Sequence, residues 1–168
     1  MTPPVIAGAS FPRGEPSALH DLARALRSGD AEALEAVVAI VLAALAREAP
    51  DLLAARGVTA VPMAGHLAGT ASGASGPLAD RLALDLPGWV AGIGPGRVAD
   101  AARALDAGPR DPAGEAATLR WGEVPGRGPV VLVDDVVRSG ATLEAAWRAA
   151  PDRLRARLVL LAAFHADG

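Results

Sequence analysis

The stretch that most limits what this chain can become runs from Pro129 to Ala150, P-V-V-L-V-D-D-V-V-R-S-G-A-T-L-E-A-A-W-R-A-A. Val130–Val133 are four consecutive apolar residues, three of them β-branched, the pattern of a strand buried on both faces. Asp134 and Asp135 follow at its carboxyl end. Val136 and Val137 lead into a turn of small residues, Arg138 to Thr142, and Leu143–Ala150 continues as good helix formers. A buried strand that runs through an acidic pair into a helix demands an α/β sheet.

Composition supports that reading and removes other classes. Apolar residues make up 51% and aromatics only 3%, so the core is built from Ala, Leu and Val. With 168 residues the chain is read as one domain, 1–168, with a helical region over 1–56 and a core over 57–168. All 16 basic residues are Arg, which excludes a P-loop with its Lys. A net charge of −3 without a basic block argues against sequence-independent nucleic-acid binding. The absence of Cys excludes disulfides and Cys-based zinc sites and fits a reducing cytoplasm. The start, Thr2-Pro3-Pro4, lacks the charged and apolar regions of a signal peptide. The longest apolar run, Ala36–Ala46, is shorter than the roughly 20 residues a bilayer span needs. A soluble, cytoplasmic protein without membrane contact is expected.

Along the chain, residues 1–14 read as an irregular entry with Val5–Ala7 as a candidate edge strand. Pro16-Ser17 opens a helix through Arg27, and Asp30 is placed as N-cap of a second helix to about Glu48. A short helical piece covers Asp51–Arg56. Val58–Pro62 is the first core strand, followed by Met63–His66 and a loop rich in Gly, Ala, Ser and Thr. The spacing then predicts a helix over Pro77–Leu86, a strand over Trp89–Ile93 and a helix over Arg97–Leu105. Gly108–Glu115 reads as a flexible loop, Ala117–Trp121 as an edge strand and Arg157–Phe164 as the closing strand. Alternating strands and helices predict an open, mostly parallel sheet flanked by helices.

Two adjacent Asp residues after a strand can be plain loop residues that cap the next helix. The following residues add a second possibility. Ligands of open α/β sheets sit beyond the carboxyl ends of the strands. A Ser-Gly-Ala-Thr turn entering a helix offers backbone N–H groups and a positive dipole end to a phosphate. Carboxylates beside such a nest then face sugar hydroxyls or a divalent cation. The string suits a phosphorylated sugar.

V-V-L-V-D-D-V-V-R-S-G-A-T resembles the phosphoribosyl-pyrophosphate (PRPP) motif of type I phosphoribosyltransferases over 13 positions. The resemblance implies a phosphoribosyltransferase-type fold with a small N-terminal helical hood. It also implies that Asp134 and Asp135 hold the ribose hydroxyls, while Arg138, Ser139, Gly140, Ala141 and Thr142 cradle the 5′-phosphate. Mg²⁺ would arrive with PRPP, touching Asp134 and Asp135 at most. Met63, Ala64, Gly65 and His66 occupy the place of the family's pyrophosphate loop, without the Arg or Lys expected there; His66 by itself reads as a loop histidine. A dimer is common in the superfamily.

The layout is similar to ComF-type proteins, named for DNA-uptake competence. The similarity rests on A-L-H-D-L-A-R-A-L-R-S-G (Ala18–Gly29), T-A-V-P-M (Thr59–Met63) and G-P-L-A-D-R-L-A (Gly76–Ala83). That family's cysteine zinc module is missing. The departure within the PRPP motif is Arg138, where the family usually has Thr or Ala, or an Asp in the hypoxanthine-guanine enzymes. With a pKa above about 12, an Arg cannot act as that Asp does toward a purine proton. Arg138 either pairs with the phosphate or points to solvent.

Two functions follow. One is a Mg²⁺-dependent phosphoribosyltransferase that exchanges the pyrophosphate of PRPP for a nitrogenous base, with Arg97, Arg103, Arg110 and Arg120 as candidate pyrophosphate contacts. The other is a non-catalytic PRPP- or nucleotide-binding accessory protein of ComF type, acting in DNA uptake or regulation.

Overall fold

Central strands that are apolar on both faces build the molecule. In the computed structural model, which describes residues 1–65, 70–71, 73–98 and 111–167, five strands form one all-parallel sheet. They are β1 (Val5–Pro12), β2 (Val58–Pro62), β3 (Trp89–Ala91), β6 (Val130–Val137) and β7 (Leu158–Asp167), in the spatial order β1-β7-β6-β2-β3. Two further short strands, β4 (Gly96–Arg97) and β5 (Leu119–Arg120), pair antiparallel outside this sheet. Register is fixed by pairs such as Val61↔Leu132 and Leu132↔Leu160.

Alternate residues of the central strands enter two separate cores. Val58, Ala60, Val131, Val133, Leu161 and Ala163 face one, with α1 (Ala18–Arg27), α2 (Ala31–Glu48), α3 (Pro50–Ala54) and α4 (Ser75–Asp85). Val61, Val130, Leu132, Leu160 and Ala162 face the other, beneath α6 (Ala141–Ala149) and α7 (Asp152–Arg155). A last helix, α5 (Pro112–Ala117), packs beside α6. The continuous run Val130–Val133 is thus buried on both faces, as its composition demands. The architecture is α/β, a parallel sheet covered on both sides.

Helix starts follow their caps. Ser17 Oγ accepts from the amide of His20, and Asp30 Oδ1 accepts from that of Ala33, at the expected starts of α1 and α2. Several expectations are corrected. The edge strand expected at Val5–Ala7 is present but longer: β1 runs eight residues and pairs along β7, so residues 1–14 are not an irregular entry. Gly8 makes that possible: a Cβ there would lie 2.5 Å from the carbonyl oxygen of Ala163. The region 1–56 therefore contributes a strand as well as helices, and Phe11, Leu26 and Val37 share one core with Val131 and Phe164.

Arg97 lies in β4 rather than at the start of a helix, and residues 99–105 of that expected helix fall outside the described residues. The expected loop Gly108–Glu115 includes the first turn of α5, where Asp111 caps the amides of Ala113 and Gly114 ahead of Pro112 at the first helical position. Its residues 108–110 are outside the described ones. The edge strand expected at Ala117–Trp121 shrinks to β5, which pairs with β4 rather than with the main sheet. Trp89–Ile93 shortens to Trp89–Ala91. Finally, Asp134 and Asp135 belong to β6 itself, and Ala141 and Thr142 to the first turn of α6.

Among the described residues no helix is long and apolar enough to cross a membrane.

Candidate functional site

From β2 the chain passes outward to β3; from β6 it passes outward to β7 on the opposite side. The carboxyl ends of the adjacent β2 and β6 thus mark the point where the strand order reverses, the place where open α/β sheets hold ligands. A cleft of about 350 Å³ opens there. Asp134, Arg138, Ser139, Gly140, Ala141 and Thr142 line it, with Ala64 from beyond β2 and Arg27 and Arg97 at its sides.

The turn from Arg138 to Thr142 has the tight form its small residues suggest. The chain passes through Gly140 at φ +73° and enters α6 with no side chain capping the helix in the way Ser17, Asp30 and Asp111 cap theirs. The hydroxyl of Ser139 reaches back only to the amide of Ala141, at 3.4 Å. The first amides of α6 and the hydroxyls of Ser139 and Thr142 therefore border an open cleft at the positive end of a helix. Arg138 is exposed, borders the cleft and has no ion-pair partner among the described residues; its carbonyl lies 2.9 Å from Nε2 of His165.

The acidic pair divides. Consecutive strand residues point to opposite faces, and Asp134 and Asp135 do so here. Asp134 is buried but lines the cleft, and its Oδ1 accepts from the amide of Asp135 at 3.0 Å. Asp135 is 0% exposed and turns toward α1 and α4. There it accepts from Nε of Arg27 at 2.5 Å and Nη2 of Arg27 at 3.2 Å, and from the amides of Val136 (2.8 Å) and Ala74 (3.4 Å). Gly73, at φ +48°, closes over it; a Cβ there would lie 2.2 Å from Asp135 Oδ2. Asp135 is an anchor, and Asp134 is the carboxylate the cleft sees.

Sequence reasoning did not single out Arg27. It sits in the last turn of α1, 108 residues from its partner, where a basic residue looks like an ordinary complement to the helix dipole. Its hydrogen bond to Asp135 raises its pKa, with the charges of Asp135 and Asp134 adding to the shift and partial burial opposing it. A raised Arg pKa places any loss of this contribution at still higher pH, so Arg27 is a cation throughout the neutral range. Its side chain remains 49% exposed.

Arg97 is a different case. Its side chain is 1% exposed, and it donates to the carbonyl of Gly65 (2.7 Å), to Thr118 Oγ1 (2.7 Å) and to Glu115 Oε1 (2.8 Å). Of the other expected pyrophosphate contacts, Arg120 donates to the carbonyls of Ala117 and Leu119, and Arg103 and Arg110 lie outside the described residues. In the loop after β2, Met63 is fully buried in the core under α6, Ala64 borders the cleft, and the amide of Gly65 donates to the carbonyl of Thr70 at 2.7 Å. His66 is outside the described residues.

Among the described residues no three His, Cys, Asp or Glu side chains gather to hold a metal ion. With Asp135 already held by Arg27, the donor set fits a hard cation that brings most of its oxygens on the ligand, with Asp134 as the protein's carboxylate. No family model matches the chain, and neither a curated protein nor a solved structure does.

Proposed function

We propose that this chain is a phosphoribosyltransferase of type I character, binding PRPP with Mg²⁺ and joining the phosphoribosyl group to a nitrogenous base. The observation that carries the reading is the union, in one cleft, of the uncapped amino end of α6 with the Asp134 carboxylate. The first suits a terminal phosphate and the second the hydroxyls of a ribose.

In the reaction the C1′–O bond breaks with its electron pair leaving on pyrophosphate, and a lone pair of the base nitrogen forms the new C1′–N bond; where that nitrogen carries a hydrogen, its proton is lost to solvent. Mg²⁺, when bound, neutralises charge on the diphosphate. The chain's own part is mainly positioning and electrostatics. The α6 amides with Ser139 and Thr142 hold the 5′-phosphate, and Asp134 accepts hydrogen bonds from the ribose. Asp135 fixes Arg27, whose exposed half presents positive charge to the cleft.

A second reading is a PRPP- or nucleotide-binding accessory protein of ComF type that performs no transfer. The loop after β2 favours it, since Met63 is buried and the Gly65 amide is already paired.

A thermal-shift titration with Mg²⁺–PRPP tests the shared ligand, and pyrophosphate release across a panel of bases tests turnover. Stabilisation with release supports the enzyme, and stabilisation without release from any base leaves the accessory protein. No stabilisation at all rejects both.

A further inference from the structure

A second cleft of about 390 Å³ adjoins the first and shares Arg27, Val136 and Arg138 with it. It lies between the end of β1, helix α1 and the end of β6. Four arginines line it (Arg13, Arg24, Arg27 and Arg138), and among the described residues no carboxylate does, in a chain whose net charge is −3. Arg27 is balanced by Asp135, but the guanidinium groups of Arg13, Arg24 and Arg138 have no hydrogen-bond or ion-pair partner among the described residues. The other wall is aromatic. Phe11 is buried with its ring edge-on to that of His20, centroids 5.8 Å apart, and to that of Phe164 at 5.9 Å. His20 stays partly exposed, with Nδ1 3.9 Å from the exposed carboxylate of Asp21.

Arginines that line one cleft with no ion-pair partner repel one another, and an anion relieves that repulsion. Guanidinium forks match the two oxygens of a carboxylate, and a flat ring packs against the part-exposed imidazole of His20, with Phe11 behind it. We propose that this second cleft receives a planar aromatic ring bearing a carboxylate, and that this anionic ring is the acceptor side of the reaction. Its charge is read by Arg13 and Arg24, while Arg27 and Arg138 stand where the two clefts meet. The acceptor role rests on the PRPP reading; the anion site itself does not.

The full chain is titrated calorimetrically with aromatic ring carboxylates (benzoate and nitrogen-ring carboxylates), with their neutral carboxamides and with inorganic phosphate, each with and without Mg²⁺–PRPP. The same series is run on Arg13→Ala, Arg24→Ala and the double variant; both residues are exposed, and melting curves check that the variants are folded. Carboxylates should bind about tenfold more tightly than carboxamides, the double variant should lose most of that preference, and PRPP binding should be unchanged by either substitution. Equal affinity for acid and amide, or a double variant that keeps the preference, overturns the inference. So does inorganic phosphate binding as tightly as any ring, because the ring is then not recognised. Ring carboxylates that bind to a protein indifferent to PRPP would reject the phosphoribosyltransferase reading while leaving the anion cleft standing. PRPP binding with no preference for acidic rings would reject the cleft assignment alone.

Discussion

Arg27 and Arg97 flank the same cleft and use the same guanidinium in opposite ways. Arg97 is sealed inside and spends its donors on Gly65, Thr118 and Glu115, so it acts as a strut that ties the loop after β2 to α5 and β5. Arg27 holds one buried carboxylate with its inner edge and keeps nearly half its surface open. Both grip an acid; only one has charge left to offer a ligand. An arginine beside a cleft is therefore a ligand contact only where its partners leave part of it in solvent.

The largest effect is expected at Arg97. Arg97→Ala leaves Glu115 buried and uncompensated, which should cost about 3–5 kcal/mol and lower Tm by roughly 6–20 °C. Denaturant unfolding measures the first and calorimetry the second. Replacing both partners, Arg97→Met with Glu115→Leu, should recover much of that loss. A single variant within about 1 kcal/mol of wild type would show that Arg97 is no strut.

Arg27→Ala is the smaller disturbance. Asp135 keeps its amide donors from Val136 and Ala74, and Arg27 is half in water, so a loss of about 1–3 kcal/mol is expected. Stabilisation by Mg²⁺–PRPP should fall as well, beyond any change in the unliganded Tm. Arg27→Lys keeps the charge without the fork and should recover only part of either effect. If Arg27→Ala left the ligand response intact, the open face of Arg27 would be idle.

Much of this arrangement was legible in the sequence, and the failures share a cause. Val130–Val133 announced a strand buried on both faces because a polar residue at any of those positions would be stranded in one of the two cores. Ser17 and Asp30 announced their helices because cap chemistry is local. The partition of labour between Asp134 and Asp135 was less visible: the motif presents them as a pair, while strand alternation and the closure of Gly73 separate them. Arg27 carried no local sign, since its meaning depends on a partner 108 residues away. Val5–Ala7 showed the start of β1 but not its length, because Gly8 interrupts the apolar run and its place against the carbonyl of Ala163 is a tertiary fact. α5 was hidden by Pro112 and Gly114, although Asp111 before Pro112 is a helix start.

On the proposed reading Asp134 meets the ligand and Asp135 does not. The most direct measurement compares Mg²⁺–PRPP stabilisation of wild type and Asp134→Asn, a substitution that keeps an acceptor for the Asp135 amide, each protein against its own unliganded Tm. At a PRPP concentration near 100 times Kd, wild type should gain about 2.7 kcal/mol, a rise in Tm of roughly 5–11 °C. Asp134→Asn should lose most of that gain, measured against its own unliganded Tm. Retention of the full gain would contradict this.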